Sequence, residues 1–324
     1  MTMVSADGEG ARILVIKLGA LGDFILALDA MAAIHAHHPD AHITLMTTRP
    51  FVDLARQSGY FDQIWEVERY KWYEPLRWMG LAHRLRTGGF TRVYDLQYND
   101  RTAIMFALST ATMKKHWSGI IKGSDLFYNN PDRMQLHAYE RHREALKIAG
   151  IADTPAADMG WMDGDVSYFP VPKTYALIVA GSAPSRPDKR WPAKRYGALC
   201  QKLLQDGITP VLLGTPAEED VITRIKKICP HAIDLGGQTT LFEIAALARG
   251  ATCAIGNDTG PMHIIAAAGC PSLTLFSLDS DPKKSAPRGH KTVVLQSDDL
   301  NDLTVTDIYK TLSEQEMLHG RLHP

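Results

Sequence analysis

Short β-branched runs alternate with helix-length segments, the alternation stops over residues 151–173, and then it starts again. A chain with that rhythm has few architectures open to it. The first half reads as strand "RILVIKL" (12–18), a turn over Gly19–Asp23 and a helix over 24–38 closed by Pro39. Strands "HITLMTT" (42–48) and "RVYDLQ" (92–97) follow, then a helix "HAYERHREALKIAG" (137–150). The interruption carries prolines and aspartates without periodicity and reads as a linker. After it come strand 175–181, helix 194–206, strand 210–214, helices 217–228 and 240–249, strand 252–256, helix 261–268 and strand 272–276. Strands that alternate with helices predict parallel sheets, so the expectation is two α/β domains, residues 1–160 and 161–324. A length of 324 residues accommodates both.

Parallel sheets hold ligands outside the carboxyl ends of their strands. The residues that directly follow strands therefore carry the functional information. In "KLGALGDFI", Gly19 and Gly22 allow a tight turn, and Asp23 falls in the first turn of a helix. Two readings stay open there: a carboxylate favoured by the helix dipole, or a proton acceptor at a cleft. The dinucleotide fingerprint G-x-G-x-x-G with a later ribose acid is missing, which disfavours a nicotinamide-dependent dehydrogenase.

"AIGNDTGPMHIIAAAG" (254–269) places Gly256, Asn257, Asp258, Thr259 and Gly260 between an apolar strand and an apolar helix. With Pro261 in the first turn and Thr259 or Gly260 as the cap, the helix start is an anion site. Asp258 would repel a phosphate, so its expected work is to orient the loop or touch hydroxyls. His263 lies in the first turn. "GSAPSRPDKRWPAKRYGAL" (181–199) brings Arg186, Lys189 and Arg190 past another strand end, either as a solvated loop or as cations for a diphosphate. In "LLGTPAEED" (212–220), Glu218 and Glu219 are dipole partners of a helix start or acceptors for ribose hydroxyls.

Composition removes several classes. A net charge of −1 argues against a nucleic-acid binder driven by bulk charge. The four cysteines (Cys200, Cys229, Cys253, Cys270) stand singly in apolar surroundings and read as reduced core thiols. The opening "MTMVSADGEGAR" lacks the features of a signal peptide and reads as a disordered lead-in. No apolar run reaches the roughly 18 residues of a spanning helix. A cytoplasmic protein is expected.

"KLGALGDFILALDAM", "PDKRWPAKRYGAL" and "IGNDTGPMHIIAAAGCPSLTLF" together resemble glycosyltransferase family 9, the ADP-heptose:lipopolysaccharide heptosyltransferases, in order and spacing over essentially the whole chain. The resemblance implies a GT-B fold, two Rossmann-like domains facing across a cleft, with the last helix crossing back to the first domain. It implies inverting transfer from a nucleotide sugar with no metal and no cofactor. By position, Asp23 matches the family's proposed general base and Lys189 its phosphate-binding lysine. Asp258, Thr259, Gly260 and His263 match its donor-binding run, and Glu218 a carboxylate near the nucleoside ribose.

The resemblance also makes the first domain the acceptor side. There, residues 69–92 hold six Arg/Lys against one Glu, interleaved with Trp72, Tyr73 and Trp78, and residues 113–122 add Lys114, Lys115 and Lys122. Arg84, Arg86, Lys114 and Lys115 are the expected contacts for an anionic lipid-linked saccharide, with peripheral contact to the inner membrane's cytoplasmic face. The alternative is a solvated helix face whose stems cover the core. Asp279-x-Asp281 resembles the metal-binding pair of transferases of another fold, but Pro282 and two lysines follow it, and no metal role is expected. The competing functions are a GT-B-fold sugar-nucleotide epimerase and a non-catalytic nucleotide-sugar-binding module.

Overall fold

The structure, a computed structural model, describes residues 10–182 and 186–318. The lead-in over residues 1–9, and residues 183–185 of the basic loop, lie outside the described residues. Two compact units divide the chain, Met1–Asp158 and Met159–Pro324.

The first unit runs β1 (Arg12–Ile16), α1 (Leu21–Ile25), α2 (Leu28–His37), β2 (His42–Thr47), α3 (Val52–Ser58), β3 (Gln63–Glu66), α4 (Pro75–Thr87), β4 (Arg92–Asp95), α5 (Asp100–Leu108), α6 (Ala111–Lys115), β5 (Trp117–Ser118) and α7 (Ala138–Ile148). Its five strands are all parallel, in the order β3-β2-β1-β4-β5. Ile13, Val15 and Leu14 are fully buried, as expected of a strand covered on both faces. The single helix expected over 24–38 is instead α1 and α2, separated at Leu26 and Ala27. Both residues stay in the right-handed helical region, and the Ala27 N–H reaches back only three residues, to the Phe24 carbonyl at 3.1 Å. The helical path is therefore tightened there and not broken.

The second unit runs β6 (Tyr175–Val179), α8 (Ala193–Gln205), β7 (Thr209–Leu213), α9 (Glu219–Ile228), β8 (Ile233–Asp234), α10 (Leu241–Gly250), β9 (Cys253–Asn257), α11 (Gly260–Ala267), β10 (Ser272–Phe276), α12 (Pro282–Ser285), β11 (Thr292–Gln296) and α13 (Val305–Glu314). Its parallel strands are ordered β11-β10-β9-β6-β7-β8. One core gathers Ile178, Trp191, Leu199, Leu212, Ile225, Ile255 and Leu275, and α13 adds Ile308 and Leu312 to it. All four cysteines are buried, and burial raises the thiols of Cys200 and Cys253, so neither is a thiolate.

Counted within each unit, both sheets follow the order 3-2-1-4-5, the second with a sixth strand beyond. That order reverses direction between the first and fourth strands, and ligand sites form outside the carboxyl ends at this reversal. In the first unit the point lies between β1 and β4, and in the second between β6 and β9.

Candidate active site

At the first unit's reversal, the chain leaves β1 through Lys17, Leu18 and Gly19. The ladder grips it as it leaves: Lys17 N–H donates to Met46 O (3.1 Å), Leu18 N–H to the Gln97 side chain (2.7 Å), and Thr48 Oγ1 to Leu18 O (3.1 Å). Gly19 sits at φ +111°, and a Cβ there would lie 2.5 Å from the Phe51 ring, so no other residue fits the turn. Asp23 follows in α1, exposed, with Oδ2 accepting the Ala20 N–H at 3.3 Å. Ala20 offers no side-chain cap in return. The carboxylate therefore holds its own loop while remaining open to solvent, a placement that serves a cap and a base equally.

Just before this turn stands a group that the apolar reading of 12–18 concealed. Lys17 is 4% exposed, its Nζ donates to Leu96 O at 2.9 Å, and burial lowers its ammonium to about 8 despite the opposing pull of Asp23 and Asp95. Asp95, at the end of β4, is buried too. Its Oδ1 accepts the N–H groups of Gln97 (2.9 Å) and Tyr98 (3.1 Å), and burial raises its carboxyl against the opposing pull of Thr102, these N–H groups and Lys17.

At the second unit's reversal the structure brings several expected residues together. Lys189 Nζ donates to Asp258 Oδ2 at 2.6 Å, with both side chains mostly buried. Ser280 Oγ donates to the same oxygen at 2.7 Å. Asp258 thus orients a lysine and a serine. Thr259 caps α11 in extended conformation without a side-chain cap bond, Gly260 opens the helix, and Pro261 takes its second position. The first-turn N–H groups and the lysine make an anion-binding corner. His263 is buried in α11. Glu218 accepts from the Thr215 N–H (2.7 Å) as a capping-box partner. Its carboxylate also presses on the end of β6: a Cβ on Gly181 would lie 1.5 Å from Glu218 Oε1. Arg190 braces the same strand end through two bonds to Ser182, 3.0 and 3.1 Å.

Asn257 organises this corner, which the sequence had offered only as one member of a polar run. It is fully buried. Its Oδ1 accepts the Trp191 N–H (3.0 Å) and the Tyr196 hydroxyl (2.9 Å), and its Nδ2 donates to Ala180 O (2.7 Å) and Gly181 O (3.2 Å). One side chain ties the end of β6, the lysine loop and α8 to the end of β9.

The four basic residues expected to meet an acceptor lie elsewhere. Arg84 and Arg86 occupy the last turn of α4, where Gly88 O accepts from Arg12 at the start of β1. Arg84 stacks on Trp65 (4.5 Å), and Arg86 donates to Leu108 O (3.1 Å). Lys114 and Lys115 end α6, just before β5 begins. All four sit at the amino-terminal edge of the first sheet, and Asp23 at the carboxyl-terminal edge. Beside the Asp23 loop stands Arg69, whose Nη2 lies 3.5 Å from the Gly19 Cβ position, and within electrostatic reach of Arg69 is Arg101, whose guanidinium is lowered by burial and then by Arg69. As for the Asp279-x-Asp281 pair, Asp281 caps α12 by accepting the Lys283 N–H (3.0 Å) and pairs with Lys284 (3.5 Å).

Two Rossmann-ordered sheets, one with a helix start beside a lysine–aspartate pair at its reversal point, define a class of two-domain α/β proteins whose ligand sites form at strand ends. The comparisons with known proteins name the member of that class. Residues 78–313 match glycosyltransferase family 9 (heptosyltransferase), and the chain belongs to that family. It is a glycosyltransferase with a GT-B fold. Lipopolysaccharide heptosyltransferase 2 of Salmonella typhimurium is 29% identical over 310 residues, 88% of each chain. Lipooligosaccharide heptosyltransferase 2 of Haemophilus influenzae matches locally, 31% over 115 residues, 34% of this chain and 33% of that one. The solved structure of E. coli heptosyltransferase WaaC with ADP-2-deoxy-2-fluoro heptose superposes with a TM-score of 0.74 at 22% identity, covering 94% of this chain and 99% of that one. These relatives do not favour the epimerase reading.

Proposed function

We propose that this enzyme moves a heptose from ADP-heptose onto an anionic saccharide of the lipopolysaccharide core, inverting the anomeric centre without a metal. The observation that carries the reading is the Lys189–Asp258 pair beside the first turn of α11, at the reversal point of the second sheet. Transfer leaves a nucleoside diphosphate with added negative charge, and fixed N–H dipoles plus an ammonium stabilise it without reorganising. Asp258 holds Lys189 in place until the diphosphate arrives, Thr259 and Gly260 offer the helix start, and Glu218 accepts ribose hydroxyls beside Gly181. Asp23 takes the proton of the attacking acceptor hydroxyl. Support for the ADP and heptose moieties comes from the relatives, whose names specify heptosyl transfer and, for WaaC, an ADP-linked fluoro-heptose.

Titration with ADP, UDP, GDP and CMP tests the donor side. ADP is expected to bind at least about tenfold more tightly than the others. Equal affinities, or a preference for another base, would remove ADP-heptose as the donor. Lys189→Ala is expected to weaken ADP by tenfold to a hundredfold, since a charge-assisted bond contributes about 1.5–3 kcal/mol. It also leaves Asp258 facing the phosphates. An ADP affinity equal to the parent's would place the diphosphate elsewhere.

The acceptor side also includes contact with a membrane. No described helix is long and apolar enough to cross a bilayer. The support is the carboxyl-edge approach to α4, where Trp72 is 87% exposed and Leu76 80%, with Tyr73 and Met79 exposed beside them and Arg69 and Lys71 on the same segment. Apolar side chains at a polar surface, flanked by cations, suit the interface of an anionic bilayer. Arg69 and Arg101 then meet the acceptor's anionic groups near Asp23. Trp72→Ser with Leu76→Ser is expected to lower partition onto vesicles of phosphatidylglycerol by about tenfold or more, since burying such a side chain contributes about 1.5–3 kcal/mol. Unchanged partition, read by sedimentation, would leave the patch without that role.

A further inference from the structure

We propose that Ser280 is a positioning residue for the donor: its hydroxyl holds the Asp258 carboxylate in place so that Lys189 can leave it for the diphosphate. The proposal rests on the reading of Lys189 as the diphosphate's cation. Three segments meet at one oxygen. Asp258 follows β9, Lys189 precedes α8, and Ser280 lies between β10 and α12. Asp258 Oδ2 accepts from Lys189 Nζ at 2.6 Å and from Ser280 Oγ at 2.7 Å. The second distance is that of a charge-assisted hydroxyl bond. The Asp258 N–H donates to Leu275 O at 3.0 Å, which fixes the aspartate's backbone against the strand that leads to Ser280. The loop around Ser280 does not need that hydroxyl for its shape. The Asp279 N–H donates to Ser277 Oγ (3.3 Å), the Ser280 N–H to Ser277 O (3.4 Å), and Asp281 caps α12. The Ser280 hydroxyl has one proton to donate, and Asp258 receives it.

A lysine–aspartate pair in this corner needs a third member. The two side chains are 16% and 10% exposed, so the carboxylate has little water to turn to. An incoming diphosphate competes with Asp258 for the ammonium, and the approach of Lys189 to phosphate strips the carboxylate of a partner. Left bare, the carboxylate would follow the lysine toward the phosphates and repel them. With Ser280 it keeps one donor throughout. A bond of equal strength in the free and bound states would not alter affinity. This one strengthens as the lysine departs, because the carboxylate then has one donor in place of two. The difference favours the complex with the diphosphate.

The test is a calorimetric ADP titration of the parent, Ser280→Ala, Ser280→Thr, Asp258→Ala and the double variant Ser280→Ala with Asp258→Ala. The kcat/KM for ADP-heptose is measured alongside. Ser280→Ala is expected to weaken ADP by about three- to tenfold, a part of what a hydrogen bond to a charged group contributes, and to lower kcat/KM by the same factor. Ser280→Thr keeps the hydroxyl and is expected to stay within about twofold of the parent. In the Asp258→Ala background, removing the Ser280 hydroxyl is expected to change ADP affinity by less than about twofold, because the group it acts through is gone. A hydroxyl that only shaped its loop, or that touched the diphosphate itself, would cost as much there as in the parent. Losses that add in this way overturn the proposal. So does an alanine variant with the parent's ADP affinity, or a threonine variant as weak as the alanine one. Failure of the donor reading looks different: Lys189→Ala would then keep the parent's ADP affinity. A weakened Lys189→Ala beside an unchanged Ser280→Ala rejects Ser280 alone.

Discussion

Asp23→Asn is expected to lose about a thousandfold in kcat, near 4 kcal/mol of barrier, while ADP binds as it does to the parent. The amide is the same size and its oxygen still accepts the Ala20 N–H, so the loop that Gly19 and Ala20 shape is retained. What is lost is the basic lone pair for the acceptor's proton. The residues proposed to bind the donor, Lys189, Asp258, Thr259 and Gly260, belong to the second unit, and the Lys189–Asp258 pair is untouched by the change. Single-turnover kinetics with a calorimetric ADP titration separate the two effects. Near-normal turnover would make Asp23 a helix cap only.

Asn257→Ala is expected to destabilise the second unit by about 2–4 kcal/mol, because it deletes four bonds and leaves the Trp191 N–H, the Tyr196 hydroxyl and two carbonyls to find new partners inside the core. For a unit of this size the unfolding midpoint should fall by about 5–10 °C. ADP affinity should fall with it, since the side chain that holds the lysine loop to the end of β6 is gone. Asn257→Asp does not rescue it: a carboxylate oxygen would then face the Ala180 and Gly181 carbonyls in place of the amide N–H groups. A variant with the parent's midpoint and ADP affinity would show that the corner is held by packing alone.

Legibility of this fold followed the physics of each element. β1, β2, β6, β9 and β10 are runs of five or six residues buried on both faces, and such runs stand out in the sequence. β5 and β8 are two residues each, too short to show any period, and β3 has only Trp65 buried. Glycine, proline and carboxylates after a strand point to a strand-end loop, which is how Asp23, Lys189 and Asp258 came into view. Lys17 did not, because a lysine in "RILVIKL" resembles the last polar residue of a strand until its burial is known. Asn257 did not stand apart, because its four partners come from three separate segments. Ser280 was hidden between the two aspartates that drew attention to its loop. The basic stretch 69–92 was visible as charge, but a helix in a parallel sheet carries residues from one edge to the other. Composition cannot say that Arg69 and Trp72 end near the carboxyl edge and Arg84 and Arg86 at the amino edge.

The most direct measurement of the central claim supplies the purified enzyme with ADP-heptose and a heptose-free lipopolysaccharide acceptor in the presence of EDTA. Released ADP and the mass of the acceptor are followed together. The expected result is ADP released in equal amount to an acceptor heavier by one heptose, with the anomeric configuration inverted. An acceptor of unchanged mass beside released ADP, transfer from a different nucleotide sugar in preference to ADP-heptose, or activity that returns only when a divalent metal is restored would contradict it.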